Sequence, residues 1–462
     1  MKKMNKKEFI ECVKRAEVAE LRERLREIED IGWLRYGIKV TADPEVKEEL
    51  EKRIAEIEKK VEKKRWGKYE IEVTAVGLGG CGLNVVTQIS KAAKRFEDYY
   101  KIDYYAYDLS DDVKRAEIEG IKIVKPTTLD IGAGRIPFCA EFVFNEGGGW
   151  EEAKGKIYPS SINLLSHSLG GGTGSKTASL LIQKLREVGG FSYITLSVLT
   201  DRDALEKTNH LLTFSELNKT ADFIILAENK RGREIKEENK IKTSEQEFIN
   251  KKMVDIFDFM ISARNKDAYP GPVDFNNYIN FLRGRGEYNE GIRWFIPFVW
   301  PIIDDYESKY NDYPLFRFLT MALNRGSLVR VRSDDIKCNS CILIIKAPDD
   351  FIHSVNIDET KMNLAKKLGL KEDFITATFV PDERGLKLCL LLYGMPFEML
   401  YELMDVDDEI INFGLNSWKE GIKNYMEQLK TNITDAKKKE YEEKIKDPRE
   451  DFIKMYGETM RD

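Results

Sequence analysis

The run Ser168-Leu169-Gly170-Gly171-Gly172-Thr173-Gly174-Ser175 constrains this chain more than any other stretch. It separates an apolar segment of strand character, Ile162 to Ser166, from a helical one, Ser175 to Val188. Glycine loses more conformational freedom on folding than any other residue, so such a run persists where the backbone must come close to something. A strand, a glycine turn and a helix start together present unpaired N–H groups at the positive end of a helix dipole, which suits a phosphate. A second turn of this kind, Gly77-Leu78-Gly79-Gly80-Cys81-Gly82, follows the strand Ile71 to Val76 and opens a helix from Leu83 to Phe96. Two such turns on neighbouring strands can grip one polyphosphate from two sides. Lys176-Thr177 invites a P-loop reading, but that motif needs glycine immediately before the lysine, where Ser175 stands.

Around these turns strands and helices alternate, with further strands at Tyr104 to Tyr107, Ile121 to Val124, Tyr193 to Leu199 and Phe223 to Ala227. That alternation predicts a mostly parallel sheet covered on both faces. Ser244 to Ala263 reads as one long helix, and strands Trp294 to Val299, Cys341 to Ile345, Ile375 to Val380 and Leu386 to Tyr393 follow, with a helix at Ile357 to Leu368. Pro297 suits only an edge strand or a bulge. Near the start, Leu50, Ile54, Ile57 and Val61 mark an amphipathic helix, with Asp43 as N-cap and Pro44 as its first residue. The expected fold is α/β: a helical extension over 1–68, a Rossmann-like nucleotide domain over 69–243, a central helix and connection over 244–270, a smaller α/β domain over 271–395, and a charged helical extension over 396–462. The simplest reading of that last extension is a solvated outer layer.

Composition narrows the function. A net charge of −6 gives no reason to expect nucleic acid as a partner. No run approaches the roughly 18 apolar residues of a spanning helix, so a cytoplasmic protein without a transmembrane segment is expected. The six cysteines are scattered, and Cys338-Asn339-Ser340-Cys341 lacks the second ligand pair of a zinc site. The first turn alone also satisfies the dinucleotide fingerprint, with Asp108 ending the next strand as its ribose acid, so a dinucleotide-dependent oxidoreductase is the rival from a different class.

Gly170 to Ser175 is similar to the signature of the tubulin/FtsZ superfamily, whose members bind GTP and form filaments. Other stretches fall in the order that family requires. Gly79-Gly80-Cys81-Gly82, in a run that includes Asn84, resembles its first phosphate loop. Gly132-Ala133-Gly134-Arg135-Ile136-Pro137 resembles the third loop of FtsZ, with an unusual Arg135 that could face the terminal phosphate or pair on the surface. Glu206-Lys207-Thr208-Asn209-His210-Leu211-Leu212-Thr213 is similar to a tubulin stretch, and by that match Glu206 accepts from ribose hydroxyls and Asn209 belongs to the site. Asn229 would then face the guanine edge. Phe248 would stack on the base or simply fill the core, and Asn250 would supply a second guanine contact. Asp108 or Asp111 could meet the water shell of a Mg2+ ion, or form a solvated turn.

The resemblance, to a divergent prokaryotic and archaeal-type member, implies GTP or GDP as ligand and self-assembly head to tail into protofilaments. It also leaves room for regulatory or capping partners. In this superfamily a loop after the central helix places acids beside the neighbouring subunit's nucleotide. The matching stretch here is Pro272-Val273-Asp274-Phe275-Asn276-Asn277, which keeps Asp274 but carries Asn277 where the second acid belongs. An amide can orient water but cannot act as a base. The expectation is a cytoskeletal, filament-forming GTPase with slow or attenuated hydrolysis, the alternative being a non-polymerising or filament-capping GTP-binding homologue.

Overall fold

The computed structural model describes residues 34, 38, 41–53, 71–93, 100–111, 113, 114, 116, 120–126, 132–189, 192–264, 267–273, 293–301, 315–331, 336–382, 385–429 and 433–457. It divides into two compact units, Met1–Tyr69 and Glu70–Asp462. In the first, residues 44–53 are helical. The Asp43 carboxylate accepts from the N–H groups of Glu45 at 2.8 Å and Val46 at 3.2 Å. Asp43 is therefore the N-cap and Pro44 opens the helix, where its missing N–H costs nothing. Leu50 is buried, while Ile54, Ile57 and Val61 lie outside the described residues.

The second unit begins with β1 (Ile71–Leu78), α1 (Gly79–Ala93), β2 (Tyr100–Tyr107) and β3 (Lys122–Val124). Next come α2 (Pro137–Glu146), α3 (Gly149–Lys154), β4 (Ile162–Ser168), α4 (Thr173–Val188) and β5 (Ser192–Leu199). Then follow α5 (Ala204–Thr220), β6 (Phe223–Glu228), α6 (Asn229–Asn239) and the long α7 (Glu245–Ser262). The later part holds β7 (Trp294–Trp300), α8 (Leu315–Arg325), β8 (Ser340–Ala347), α9 (Asp349–Ser354), α10 (Ile357–Leu368), β9 (Ile375–Pro381) and β10 (Lys387–Tyr393). The chain closes with α11 (Phe397–Met404), α12 (Asp408–Gln428), α13 (Asp435–Lys444) and α14 (Pro448–Gly457).

Among the described residues the strands form one ten-stranded sheet, ordered β3-β2-β1-β4-β5-β6-β7-β10-β8-β9. Pairing is parallel from β3 through β7, antiparallel where β10 joins β7 and β8, and parallel again between β8 and β9. Every residue of β4, β5, β6, β7 and β8 is buried. A sheet covered on both faces has this property, and the α/β class read from the sequence holds.

Two expectations are corrected. The strand carrying Pro297 is interior, not an edge. Its pairing with β6 ends at Ile225–Phe295, after which residues 326–328 take over that side. There the Pro297 carbonyl accepts from the Leu328 N–H at 3.1 Å and the Gly326 carbonyl from the Val299 N–H at 2.9 Å. The missing N–H thus faces a short irregular segment, where its loss interrupts no long ladder. The C-terminal helices, secondly, are more than a solvated layer. Trp418, Tyr441 and Phe452 have no solvent exposure, and their rings meet Phe138, Phe142 and Phe214 of α2 and α5.

Close approach at the head of α1 is steric. A Cβ at Gly82 would sit 2.0 Å from the Ser166 carbonyl oxygen on β4, whereas one at Gly80 would meet nothing within 4 Å. Gly82→Ala is expected to destabilise by roughly 1–3 kcal/mol, and Gly80→Ala to leave the denaturant midpoint nearly unchanged. Equal effects would contradict the packing.

His167 on β4 and His210 on α5 flank the second glycine turn and are buried. Burial pushes His167 down to about 4, opposed weakly by the Ser168 carbonyl, and His210 down to about 3, with Lys207 adding. Both are neutral when folded and gain protons in the unfolded chain below about 6.5. Their stabilisation is full above that value and falls as the pH drops toward these lowered values. Between about pH 7 and about pH 5 each histidine should cost about 2 kcal/mol. His210→Gln should remove its share, which unfolding midpoints at the two pH values would register; an unaltered pH dependence would refute the assignment.

Candidate nucleotide site

β1 and β4 lie side by side, and the chain leaves them in opposite directions, β1 toward β2 and β4 toward β5. Beyond the carboxyl ends of two such strands a crevice opens between diverging connections. Both glycine turns fall there. Gly79 has φ +67, a left-handed conformation that glycine adopts without strain, and starts α1 directly after β1. A Cβ on it would lie 3.2 Å from the Gly174 N atom, so the two turns touch through their backbones.

Ser168 closes β4, and its Oγ accepts from the N–H groups of Gly170 at 3.1 Å and Gly171 at 3.2 Å. Helix α4 starts at Thr173 with Gly172 as N-cap and no side-chain cap bond. Its first N–H groups therefore point outward without an intrahelical acceptor. Ser175 turns its Oγ inward to the Gly172 carbonyl at 2.8 Å. Thr173 Oγ1 donates to Asp108 Oδ1 at 3.0 Å. Asp108, at the end of β2, also accepts from the Leu109 N–H at 2.7 Å and the Ser110 Oγ at 3.2 Å. Burial raises the Asp108 carboxyl, and these hydrogen bonds moderate the rise. Asp111 is exposed and paired with Lys114 and Lys125, which hold it down at about 2.

The third loop closes on the second. A Cβ at Gly172 would lie 2.8 Å from the Arg135 backbone and 2.9 Å from Ala133 Cβ, and one at Gly132 3.7 Å from Ser110 Cβ. Gly134 and Arg135 both have positive φ. The Arg135 guanidinium pairs with Asp203 and approaches Glu206 at 3.8 Å. Asp203 caps α5 by accepting from the Glu206 N–H at 3.1 Å. Burial opposes ionisation of Asp203, but that N–H and Arg135 outweigh it and hold the carboxyl low. Glu206 is buried beside Gly170. Burial drives the Cys81 thiol up to about 12, with Arg202 opposing and Glu206 adding.

The structure thus brings together Gly79, Cys81, Asp108, Gly132, Ala133, Gly134, Arg135, Gly170 to Ser175, Glu206 and Asn209. Asn209 is enclosed, and its amide binds the carbonyls of Arg135 and Gly170. Gly80 and Asn84 are exposed on α1. Asn229 opens α6 at the end of β6, beside Glu228, which is buried against Arg330 at 2.6 Å. Phe248 and Asn250 are buried in the first turns of α7, which packs on α1. Asp274 and Asn277 lie outside the described residues. Two participants were not anticipated. Asp203 was legible as the first letter of an Asp-x-x-Glu capping pattern ending at Glu206. Trp418, whose indole reaches Asn209 from α12, left no local signal.

The donor set is of one kind: backbone N–H groups at two helix starts, the hydroxyl of Ser168, and the guanidinium of Arg135. It suits an anion with several oxygens. Lys176, tested above against a P-loop, points away into an ion-pair cluster with Glu216 and with Glu141 at 3.1 Å. Among the described residues no cluster of metal-binding side chains is gathered, Cys338 and Cys341 are free buried thiols, and no helix is long and apolar enough to cross a membrane.

No protein-family model matches the chain. Cell division protein FtsZ 1 of Halobacterium salinarum is 26% identical over 166 residues, 35% of this chain and 40% of that protein. FtsZ 1 of Methanocaldococcus jannaschii is 26% identical over 168 residues, 36% of this chain and 44% of its own length. The matched stretch therefore spans less than half of these relatives. Among solved structures, CetZ from Methanosaeta thermophila is similar at a TM-score of 0.57 and 17% identity, over 78% of this chain and 95% of that one. CetZ2 from Haloferax volcanii, in a GTPγS-bound protofilament, gives 0.58 and 17% over 74% and 99%. An empty FtsZ dimer from M. jannaschii gives 0.53 and 18% over 73% and 92%. With the strand order, the paired glycine turns at its switch point and these likenesses taken together, the chain has the tubulin/FtsZ fold.

Proposed function

We propose that this chain binds a guanine nucleotide at the switch point and assembles head to tail into protofilaments as a cytoplasmic, cytoskeletal GTPase of slow turnover. The observation that carries this reading is the backbone contact of two glycine turns, each opening a helix, with a third loop closed over them. The α1 and α4 N-termini would receive the phosphates. Arg135, released from Asp203, would offset their terminal charge, and Asp108 would reach a Mg2+ ion through water. Glu206 would accept from the ribose, and Asn229 and Asn250 would read the guanine beside Phe248. The GTPγS-bound protofilament of CetZ2 supports both the ligand and the mode of assembly.

Slow turnover rests on the loop after α7. Asp274 of one subunit would face the nucleotide of the next, with the Asn277 amide in place of a second carboxylate. The amide can orient water without taking its proton.

GTP present at about a hundred times its Kd should stabilise the protein by about 2.7 kcal/mol, and NAD should not. Thermal denaturation with each nucleotide checks this, and protection by NAD alone would overturn the reading. Sedimentation with GTP, GDP and a non-hydrolysable analogue should show pelleting with the triphosphates. Asn277→Asp should speed phosphate release, increasingly at high protein concentration because the acid acts across a subunit contact. A rate equal to wild type would clear Asn277 of attenuating the reaction.

A further inference from the structure

Asn209 lies on α5 with no solvent exposure, and both N–H donors and one lone pair of its amide are used within the chain. Its Nδ2 donates to the Arg135 carbonyl at 2.9 Å and to the Gly170 carbonyl at 2.8 Å. Its Oδ1 accepts from Trp418 Nε1 at 2.7 Å. One amide therefore ties the third loop to the second, and an indole from the C-terminal extension holds that amide.

The orientation is set by chemistry. An indole N–H can only donate, so the amide must present its oxygen to Trp418 and aim both N–H bonds at the two carbonyls. A reversed amide would oppose oxygen to oxygen twice, in a buried place where unpaired polar atoms are expensive. The two peptide units concerned are held from the other side as well. Gly171 N–H, which shares its peptide with the Gly170 carbonyl, donates to Ser168 Oγ at 3.2 Å. Ile136 N–H, which shares its peptide with the Arg135 carbonyl, donates to the Ala133 carbonyl at 2.8 Å. Both loop peptides are pinned at both ends.

Helix α12 is fitted closely enough to act through this contact. Trp418 is fully buried, with its ring edge-on to Phe138 at 5.3 Å. A Cβ at Gly421 would lie 2.5 Å from the Ile136 side chain, and one at Gly414 2.3 Å from Thr208 Oγ1. Thr208 Oγ1 in turn donates to the Ile410 carbonyl at 3.1 Å.

We infer that Trp418 is a positioning residue of the nucleotide site, acting through Asn209 to hold the Arg135 and Gly170 loops in register, so that the C-terminal extension is a structural part of that site. The inference rests on the guanine-nucleotide reading above. Its test uses the full chain as wild type, as Trp418→Phe, which keeps a six-membered aromatic ring and removes the pyrrole ring with its N–H, and as Phe452→Leu, which loosens α14 on Phe214, more than one helical turn along α5 from Asn209. Two quantities are measured: equilibrium binding of a fluorescent GTP analogue, and amide hydrogen exchange of Gly171 and Ile136 without nucleotide.

Trp418→Phe should weaken GTP binding about five- to tenfold, the equivalent of one buried neutral hydrogen bond, and should speed exchange at both amides. Phe452→Leu, even at a similar loss of melting temperature, should do neither. Unchanged exchange in Trp418→Phe, unchanged affinity, or an equal loss in Phe452→Leu would each overturn the positioning role. A wild-type protein that binds no guanine nucleotide, while Trp418→Phe still speeds exchange, would sink the nucleotide reading and leave the brace standing.

Discussion

Backbone contact between two glycine turns, Gly79 against Gly174, is the constraint on which the rest of this molecule depends. Such contact requires β1 and β4 to be neighbours in a parallel sheet, which places both helix starts at the same end. Parallel neighbours in turn need long crossovers, and these supply the helices that cover the sheet. Strands β4 to β8 are consequently buried at every residue, and β7 reads as one continuous apolar run. Everything suited to an anion then accumulates at one edge: the N-termini of α1 and α4, the hydroxyl of Ser168, and the loop carrying Arg135.

That edge is held by polar groups more than by apolar packing. Asp108 gathers Thr173 and Ser110, Ser168 satisfies the amides of Gly170 and Gly171, and Asn209 joins two loops. Further from the crevice, Lys176 lies among Glu216, Glu141 and the ring of Phe138, while Lys444 of α13 shares Glu141 at 3.2 Å. Burial works against the charged Lys176, yet the two carboxylates raise its affinity for the proton. Buried ion pairs of this sort add little net stability, but removing one partner leaves an uncompensated buried charge and is costly. Here the elements joined are α2, α4, α5 and the C-terminal extension.

The helix α5 shows why some of this was hard to read. Its buried set includes Glu206, Thr208, Asn209, His210, Thr213, Ser215 and Asn218, so no apolar stripe of helical period marks it. α12 and α14 cover the side that would otherwise be solvated, and the helix is polar on nearly every face while exposed on few. α7 was legible by contrast, because Ser244 caps it and apolar residues recur along its whole length. Pro297 misled for a related reason: a proline is costly only if the missing N–H faces a partner strand, and which side it faces is a tertiary fact.

What the sequence determined by itself was whatever depends on neighbours along the chain. The strand–glycine–helix units at Gly79 and Gly170, the Asp43 cap and the alternation that makes the sheet parallel all belong to that class. Tertiary structure alone decided which groups meet. Arg135 pairs with Asp203, and Trp418 reaches Asn209 across 209 positions of sequence. Hydrogen bonds between buried groups depend on distances of a few tenths of an ångström, and only the packed chain sets those distances.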